Sequence, residues 1–135
     1  MTQQIKQRVG NLIEEFIADE YDLQRNKRQK THGYYDCYDD KTIYEIKAAK
    51  SNSYRFIMYL DNHNRLFLAD GMYIFVVYDL IDRDHDLQVI TDIDIKQIKF
   101  VSSTTVDSIL LSHPVENYSS KKKKRIKRIR FNEVL

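Results

Sequence analysis

The stretch that decides the fold is Tyr34-Tyr35-Asp36-Cys37-Tyr38-Asp39-Asp40-Lys41-Thr42-Ile43-Tyr44-Glu45-Ile46-Lys47-Ala48-Ala49. Tyr, Ile and Thr favour strands, and Asp40-Lys41 falls between two such runs as a two-residue turn. That turn sets Tyr38 opposite Ile43, Asp36 opposite Glu45 and Tyr34 opposite Lys47. Side chains alternate along a strand, so Asp36, Glu45 and Lys47 are expected on one face. Tyr35, Cys37, Tyr44 and Ile46 are expected on the other, turned towards a core.

Carboxylates placed directly opposite each other repel, at roughly 0.2–1 kcal/mol in a sheet. A divalent cation between them removes that cost. Mg²⁺ in particular binds through one or two carboxylates, with waters and phosphate oxygens completing its octahedron. Lys47, on the side of Glu45, can hold an attacking water and offset charge building on a phosphate. The polar face of an ordinary hairpin would carry similar residues, and a Glu-x-Lys triplet alone is common. The combination of helix, loop, Asp36, tight turn and Glu45-Ile46-Lys47 is what points to phosphodiester hydrolysis.

Upstream of the hairpin, Ile5, Val9, Leu12, Ile13, Phe16 and Ile17 recur at helical spacing, which predicts a helix from about Thr2 to Tyr21. Gln24 to His32 is polar and aperiodic and reads as a loop ending near Gly33. Downstream, Ser51 to Ala69 reads as one or two helices broken near Asp61-Asn62-His63-Asn64. Met72 to Ile81 is apolar on both faces, the mark of a central strand covered on both sides. Asp82 to Asp86 reads as an acidic turn, Leu87–Ile90 and Ile98–Val101 as short strands, and Asp92–Gln97 as a helical turn between them. Ser102 to Ser120 reads as irregular, and Ile126 to Leu135 as a final edge strand. This order predicts one mixed α/β domain.

The length of 135 residues suits one domain, and 42% apolar content suffices for a single core. Net charge is only +2, but residues 121–130 hold eight Lys or Arg and no acid. Such a run points to a polyanion, nucleic acid before membrane, although a solvated tail reads the same way. A lone cysteine, Cys37, excludes an internal disulfide. Met1 to Gly10 lacks the apolar stretch of a signal peptide, and the longest apolar run, Met72 to Tyr78, is too short to span a bilayer. An intracellular, cytoplasmic protein of prokaryotic or viral origin with no membrane partner is therefore expected. His32, His85 and His113 have no metal-ligand spacing and read as surface residues.

The pattern Asp36 … Glu45-Ile46-Lys47, in this order of elements, resembles the PD-(D/E)xK nuclease superfamily, although Tyr35 stands where the motif has Pro. The resemblance implies a restriction-endonuclease-like core, a central mixed sheet flanked by helices, in one domain over residues 1–135. It implies Asp36, Glu45 and the backbone carbonyl of Ile46 as ligands for Mg²⁺, with Mn²⁺ able to substitute, and Lys47 as the catalytic cation. Some members bring an acid from the first helix to the metal. Glu15, beside Leu12 at the edge of the apolar stripe, is the candidate here, with Glu14 farther round.

Tyr44-Glu45-Ile46-Lys47, Asn62-His63-Asn64 and Tyr73-Ile74-Phe75-Val76-Val77-Tyr78 are together similar to the PvuII type of small restriction endonuclease. That likeness implies base contacts by Asn62, His63 and Asn64, and a homodimer acting on double-stranded DNA through a contact formed by the N-terminal region. A capped helix break is the plainer reading of the same triplet. Phosphate contacts are expected from Lys121, Lys122, Lys123, Lys124, Arg125, Lys127, Arg128 and Arg130, as a DNA-contact extension, and from Arg28 and Lys30 in the loop. Two rival readings stand beside a restriction endonuclease. One is a nuclease for branched DNA, similar to the archaeal Holliday junction resolvases. The other is a non-catalytic nucleic-acid-binding protein, in which the hairpin acids are incidental.

Overall fold

The structure is a computed structural model that describes residues 3–27, 33–84, 89–119 and 124–135. Its elements, in chain order, are α1 (Gln3–Tyr21), β1 (Gln24–Arg25), β2 (Cys37–Tyr38), β3 (Ile43–Lys50), β4 (Arg55–Tyr59) and α2 (Leu60–Leu68). There follow β5 (Met72–Asp84), β6 (Val89–Ser102), α3 (Ser103–Leu110), β7 (Glu116–Ser119), β8 (Lys124–Arg130) and α4 (Phe131–Val134). They build a five-stranded sheet in the order β1-β2-β3-β5-β6 and a three-stranded sheet in the order β4-β8-β7. In the larger sheet β3 and β5 run parallel while the other pairs are antiparallel, so it is mixed, as expected.

β5 is the strand on which the rest is built. Ile74, Val76 and Tyr78 face one way, into a cluster with Val9, Ile13, Ile17 and Ala18 of α1. Tyr73, Phe75 and Val77 face the other way, into a second cluster with Phe56 and Met58 of β4, Leu66 of α2, Val106 of α3 and Ile129 of β8. A strand apolar on both faces is thus covered on both, by a helix on one side and the second sheet with its helices on the other. Among the described residues no helix is long and apolar enough to cross a membrane.

Five expectations are corrected. Arg55–Tyr59 is a strand rather than helix, because Phe56 and Met58 are buried at alternate positions and pair with β8. Asp92–Gln97 lies within β6, where Ile93 and Ile95 pack in the core at strand spacing between acids and lysine. β5 runs on through Asp82 to Asp84 of the expected acidic turn, and Val89, Ile90 and Ile98–Val101 of the expected short strands belong to one long strand, β6, antiparallel to it. Residues 103–110 are helical, capped by the Ser102 hydroxyl, which accepts from the Thr105 N–H at 3.1 Å. Ile126 to Leu135 is not an edge strand. β8 is the middle strand of its sheet, anchored by fully buried Ile126 and Ile129, and the chain then turns into α4. Lys121, Lys122 and Lys123 lie outside the described residues, as do Arg28, Lys30, His32 and His85.

Gly71 joins α2 to β5 under the side chain of Leu66, which is fully buried, and an added Cβ would lie 2.5 Å from the Leu66 Cδ1. Gly71→Ala is predicted to cost about 1–3 kcal/mol by overpacking. The check is a lower midpoint of urea unfolding with an unchanged slope.

Candidate active site

The hairpin forms in the register read from the sequence. Tyr38 pairs with Ile43 and Cys37 with Tyr44. No glycine is needed at the turn because Asp39 supplies the missing contacts. Its Oδ1 accepts from the Lys41 and Thr42 N–H groups at 2.9 Å each, and its Oδ2 accepts from the Tyr44 hydroxyl at 2.9 Å.

Beyond Cys37 the strand does not continue; the chain bends at Asp36. The Asp36 N–H still donates to the Tyr44 carbonyl at 2.8 Å, and its carbonyl accepts from the Asn26 N–H at 2.8 Å. Its side chain then does what backbone would otherwise do: Oδ2 accepts from the Ile46 N–H at 2.8 Å. The bend also exchanges two neighbours. Tyr35 packs on the Phe75 side of the sheet, while Asp36 lines a cavity of about 220 Å³ on the α1 side with Gly10, Glu14, Ile46 and Ala48. The flat, single-face arrangement expected of Asp36, Glu45 and Lys47 is therefore replaced by one in which Asp36 wraps the edge of β3 at Ile46.

Glu45 and Lys47 emerge on the other side of β3, the side of Ile43 and Ala49. Both are deeply placed: Glu45 is 8% exposed and the Lys47 side chain 13%. The Lys47 ammonium lies 3.7 Å from Glu45 Oε1 and 5.0 Å from the ring centre of Tyr59. Glu45 Oε2 is buried with no hydrogen-bond partner.

Burial dominates the electrostatics. Desolvation lifts Asp36 from its ordinary value to about 6, against the opposing pull of the Ile46 N–H, and the Glu14 charge adds to the rise. Glu45 is lifted as well, first by desolvation and then by the charge of Asp36, with Lys47 pulling it down. Two buried carboxylates, with the Asp36 charge raising Glu45 and one Glu45 oxygen orphaned, make an acceptor-rich site in which Lys47 offsets only part of the negative charge. A divalent cation supplies what is missing, and the donor set fits one: Asp36 and Glu45 would hold it. Among the described residues no three ligand-type side chains converge.

The first helix contributes Glu14 instead of Glu15. Glu15 is exposed, whereas Glu14 lines the cavity with Asp36 and is held by the Arg25 guanidinium at 3.0 Å. The buried stripe runs through Val9, Ile13, Ile17 and Ala18, while Phe16 is 41% exposed and Leu12 only half-buried. Counting Leu12 and Phe16 into the stripe rotated the expected edge by one residue. The buried stripe packs against Ile74, Val76 and Tyr78 of β5.

His63 is likewise relocated. It is 2% exposed, with Nδ1 2.6 Å from the Tyr73 hydroxyl and Nε2 2.9 Å from Asp107 Oδ1. Both ring nitrogens are engaged inside the protein, so His63 offers no edge to a base. Asn62 remains half-buried at a cleft and Asn64 is exposed. Of the basic run, Lys124, Arg125, Arg128 and Arg130 are exposed, and Lys127 is turned inward to donate to the Leu110 carbonyl at 2.6 Å. His113 is half-buried, 2.8 Å from Glu133. Sequence reasoning missed Asn26, whose side chain also donates to the Tyr35 carbonyl at 3.1 Å, and Tyr59 over Lys47. Neither sits in a motif; only the fold brings them to the hairpin.

The sign of the pH effect follows from these shifts. Asp36 has a folded value raised above its ordinary 3.8, so its contribution to stability is complete below about 4 and is lost as pH rises through about 6. Asp36→Asn keeps an oxygen for the Ile46 N–H and removes the charge. The variant is predicted to melt higher than the parent at pH 8 without metal. Mg²⁺ or Mn²⁺ should stabilise the parent, by about 2.7 kcal/mol at a hundred times the dissociation constant. That gain should be larger at pH 8 than at pH 5, where protons compete, and absent in Asp36→Asn. Thermal melts at both pH values check this; a metal-induced rise that survives in Asp36→Asn contradicts it.

Comparison with known proteins adds one finding. A model described as a PD-(D/E)XK nuclease superfamily domain matches residues 1–135. No curated protein and no solved structure matches the chain. Members of this superfamily are usually nucleases and typically use divalent metals. The match spans the hairpin, both buried carboxylates and the lysine, and the chain belongs to the PD-(D/E)XK nuclease superfamily.

Proposed function

We propose that the chain is a Mg²⁺-dependent endodeoxyribonuclease that cuts duplex DNA, acting as a homodimeric type II restriction endonuclease. The observation that carries the catalytic part is the orphaned Oε2 of Glu45, buried beside Lys47 and next to the Asp36 charge. No core gains from a bare carboxylate oxygen; a hydrolytic metal site needs one. Asp36 and Glu45 would hold the cation, with the Ile46 carbonyl as a further candidate ligand, and the bound cation would supply Lewis-acid polarisation of the phosphate and a more acidic water. Lys47 orients that water and balances the charge that develops on the phosphate. Tyr59 and Glu45 together fix where its ammonium sits. The desolvated surroundings strengthen these interactions.

The DNA part rests on the exposed cations of β8 and on Asn62 and Asn64. Lys124, Arg125, Arg128 and Arg130 would take phosphates, which gives affinity without sequence information. The Asn amides would read base edges. Burial of His63 removes the residue on which the likeness to the PvuII type leaned most. The same burial favours a second reading, a nuclease that selects branched DNA by shape.

Purified protein offered linear duplexes and four-way junctions in Mg²⁺ separates the two. Discrete fragments from linear DNA support a restriction endonuclease, and cutting confined to the junction supports the second reading. Lys47→Ala should abolish either activity while leaving binding in place. Arg128→Ala should weaken binding similarly for all sequences and reduce the slope of log affinity against log salt by about 1. If neither substrate is cut, the chain is a binding protein.

A further inference from the structure

We propose that the cleft lined by Tyr59, Asp61, Asn62, Lys124 and Arg125 is the binding site for the nucleotide unit next to the bond that is cut. The inference rests on the nuclease reading and extends it to a site for one part of the substrate. The cleft measures about 260 Å³, room for a base with its sugar phosphate but not for a duplex.

Tyr59 joins this cleft to the catalytic centre. It closes β4 and precedes α2, opposite Ile126 of β8. The Lys47 ammonium lies 5.0 Å from its ring centre and the Lys124 ammonium 5.2 Å. The ring thus holds one cation of the catalytic centre and one of the cleft, and an ammonium facing the cleft is a ready partner for a phosphate. Lys47 already leans on Glu45, which leaves Lys124 as the one turned to the cleft.

The remaining walls suit a nucleotide. Arg125 lies 3.7 Å from Asp61, and both side chains are largely exposed at 58% and 89%. So open a pair contributes little, and the guanidinium exchanges it readily for a phosphate. Asn62 brings an amide that both donates and accepts, the pairing an adenine edge requires. The part of the Tyr59 ring that lines the cleft gives a base an aromatic wall to pack against, edge to face. Phosphate, base edge and base face thus each meet a matching group within one cleft, and that cleft shares Tyr59 with Lys47.

Fluorescence anisotropy of a labelled duplex tests this in EDTA, where nothing is cut. Tyr59→Leu and Lys124→Ala should each bind about tenfold more weakly, the worth of one base packed on an aromatic ring or one phosphate contact. Tyr59→Leu leaves the net charge alone, so its loss cannot be a general electrostatic effect. Tyr59→Phe should recover most of the affinity. In Mg²⁺, Asn62→Ala should flatten the preference for the base beside the cut. Lys124 is exposed, so Lys124→Ala keeps the test open should Tyr59→Leu fail to fold, which its melting curve would show. Affinities within about twofold of the parent for Tyr59→Leu, or for Lys124→Ala in that event, overturn the proposal. Failure of the nuclease reading has a different sign: the parent protein cuts no DNA, while the binding comparison still decides whether the cleft holds a nucleotide.

Discussion

A carboxylate held away from water is the constraint on which this structure turns. Glu45 sits on β3, side by side with Tyr73 of the most buried strand, and no hydrogen-bond partner reaches its Oε2. Burying a charge that way is costly unless a partner neutralises it. Lys47 supplies one charge at 3.7 Å, but Asp36 and Glu14 add two of the opposite sign nearby. The imbalance is built into the fold, because the residues that create it are placed by core packing on both faces of the sheet. Val9, Ile13 and Ile17 seat α1 and with it Glu14; Tyr73 and Phe75 seat the layer that covers Glu45. Relaxing the site would require loosening β5.

Around that site the second sheet does two jobs. Its inner side completes the core through Phe56, Met58 and Ile129. Its outer side carries the exposed cations Lys124, Arg125, Arg128 and Arg130, and Tyr59 at the end of β4 lies under the Lys47 ammonium. The proposed catalytic and binding groups therefore share one frame. A basic tail would have left the distance between them to chance.

Local pattern made the hairpin legible. Tight turns fix register, so Tyr38 and Ile43, Cys37 and Tyr44 could be paired from residue order alone, and Met72–Tyr78 declared its burial by being apolar on both faces. What failed was non-local. Phe56 and Met58 carry a strand pattern too short to outweigh helical neighbours until β8 pairs with them. Ile93 and Ile95 alternate with charges, yet were read through their acids. The bend at Asp36 has no signature in the sequence, since it depends on Asn26 and Ile46 pulling on the same residue. Choosing Glu15 over Glu14 came from a stripe drawn one residue too wide, and the candidacy of His63 came from a resemblance that carries no information about burial. The identity of the buried carboxylate pair was therefore readable, and its exact surroundings were not.

The most direct test of the central claim is conversion of supercoiled plasmid DNA by the parent protein and by Glu45→Gln, in Mg²⁺ and in EDTA. Glutamine matches glutamate in size, so the substitution removes little but the buried charge. The account predicts that the parent nicks or linearises the plasmid only in Mg²⁺ and that Glu45→Gln is slower by about a hundredfold or more. Equal rates for the two proteins, or cutting that persists in EDTA, would contradict it.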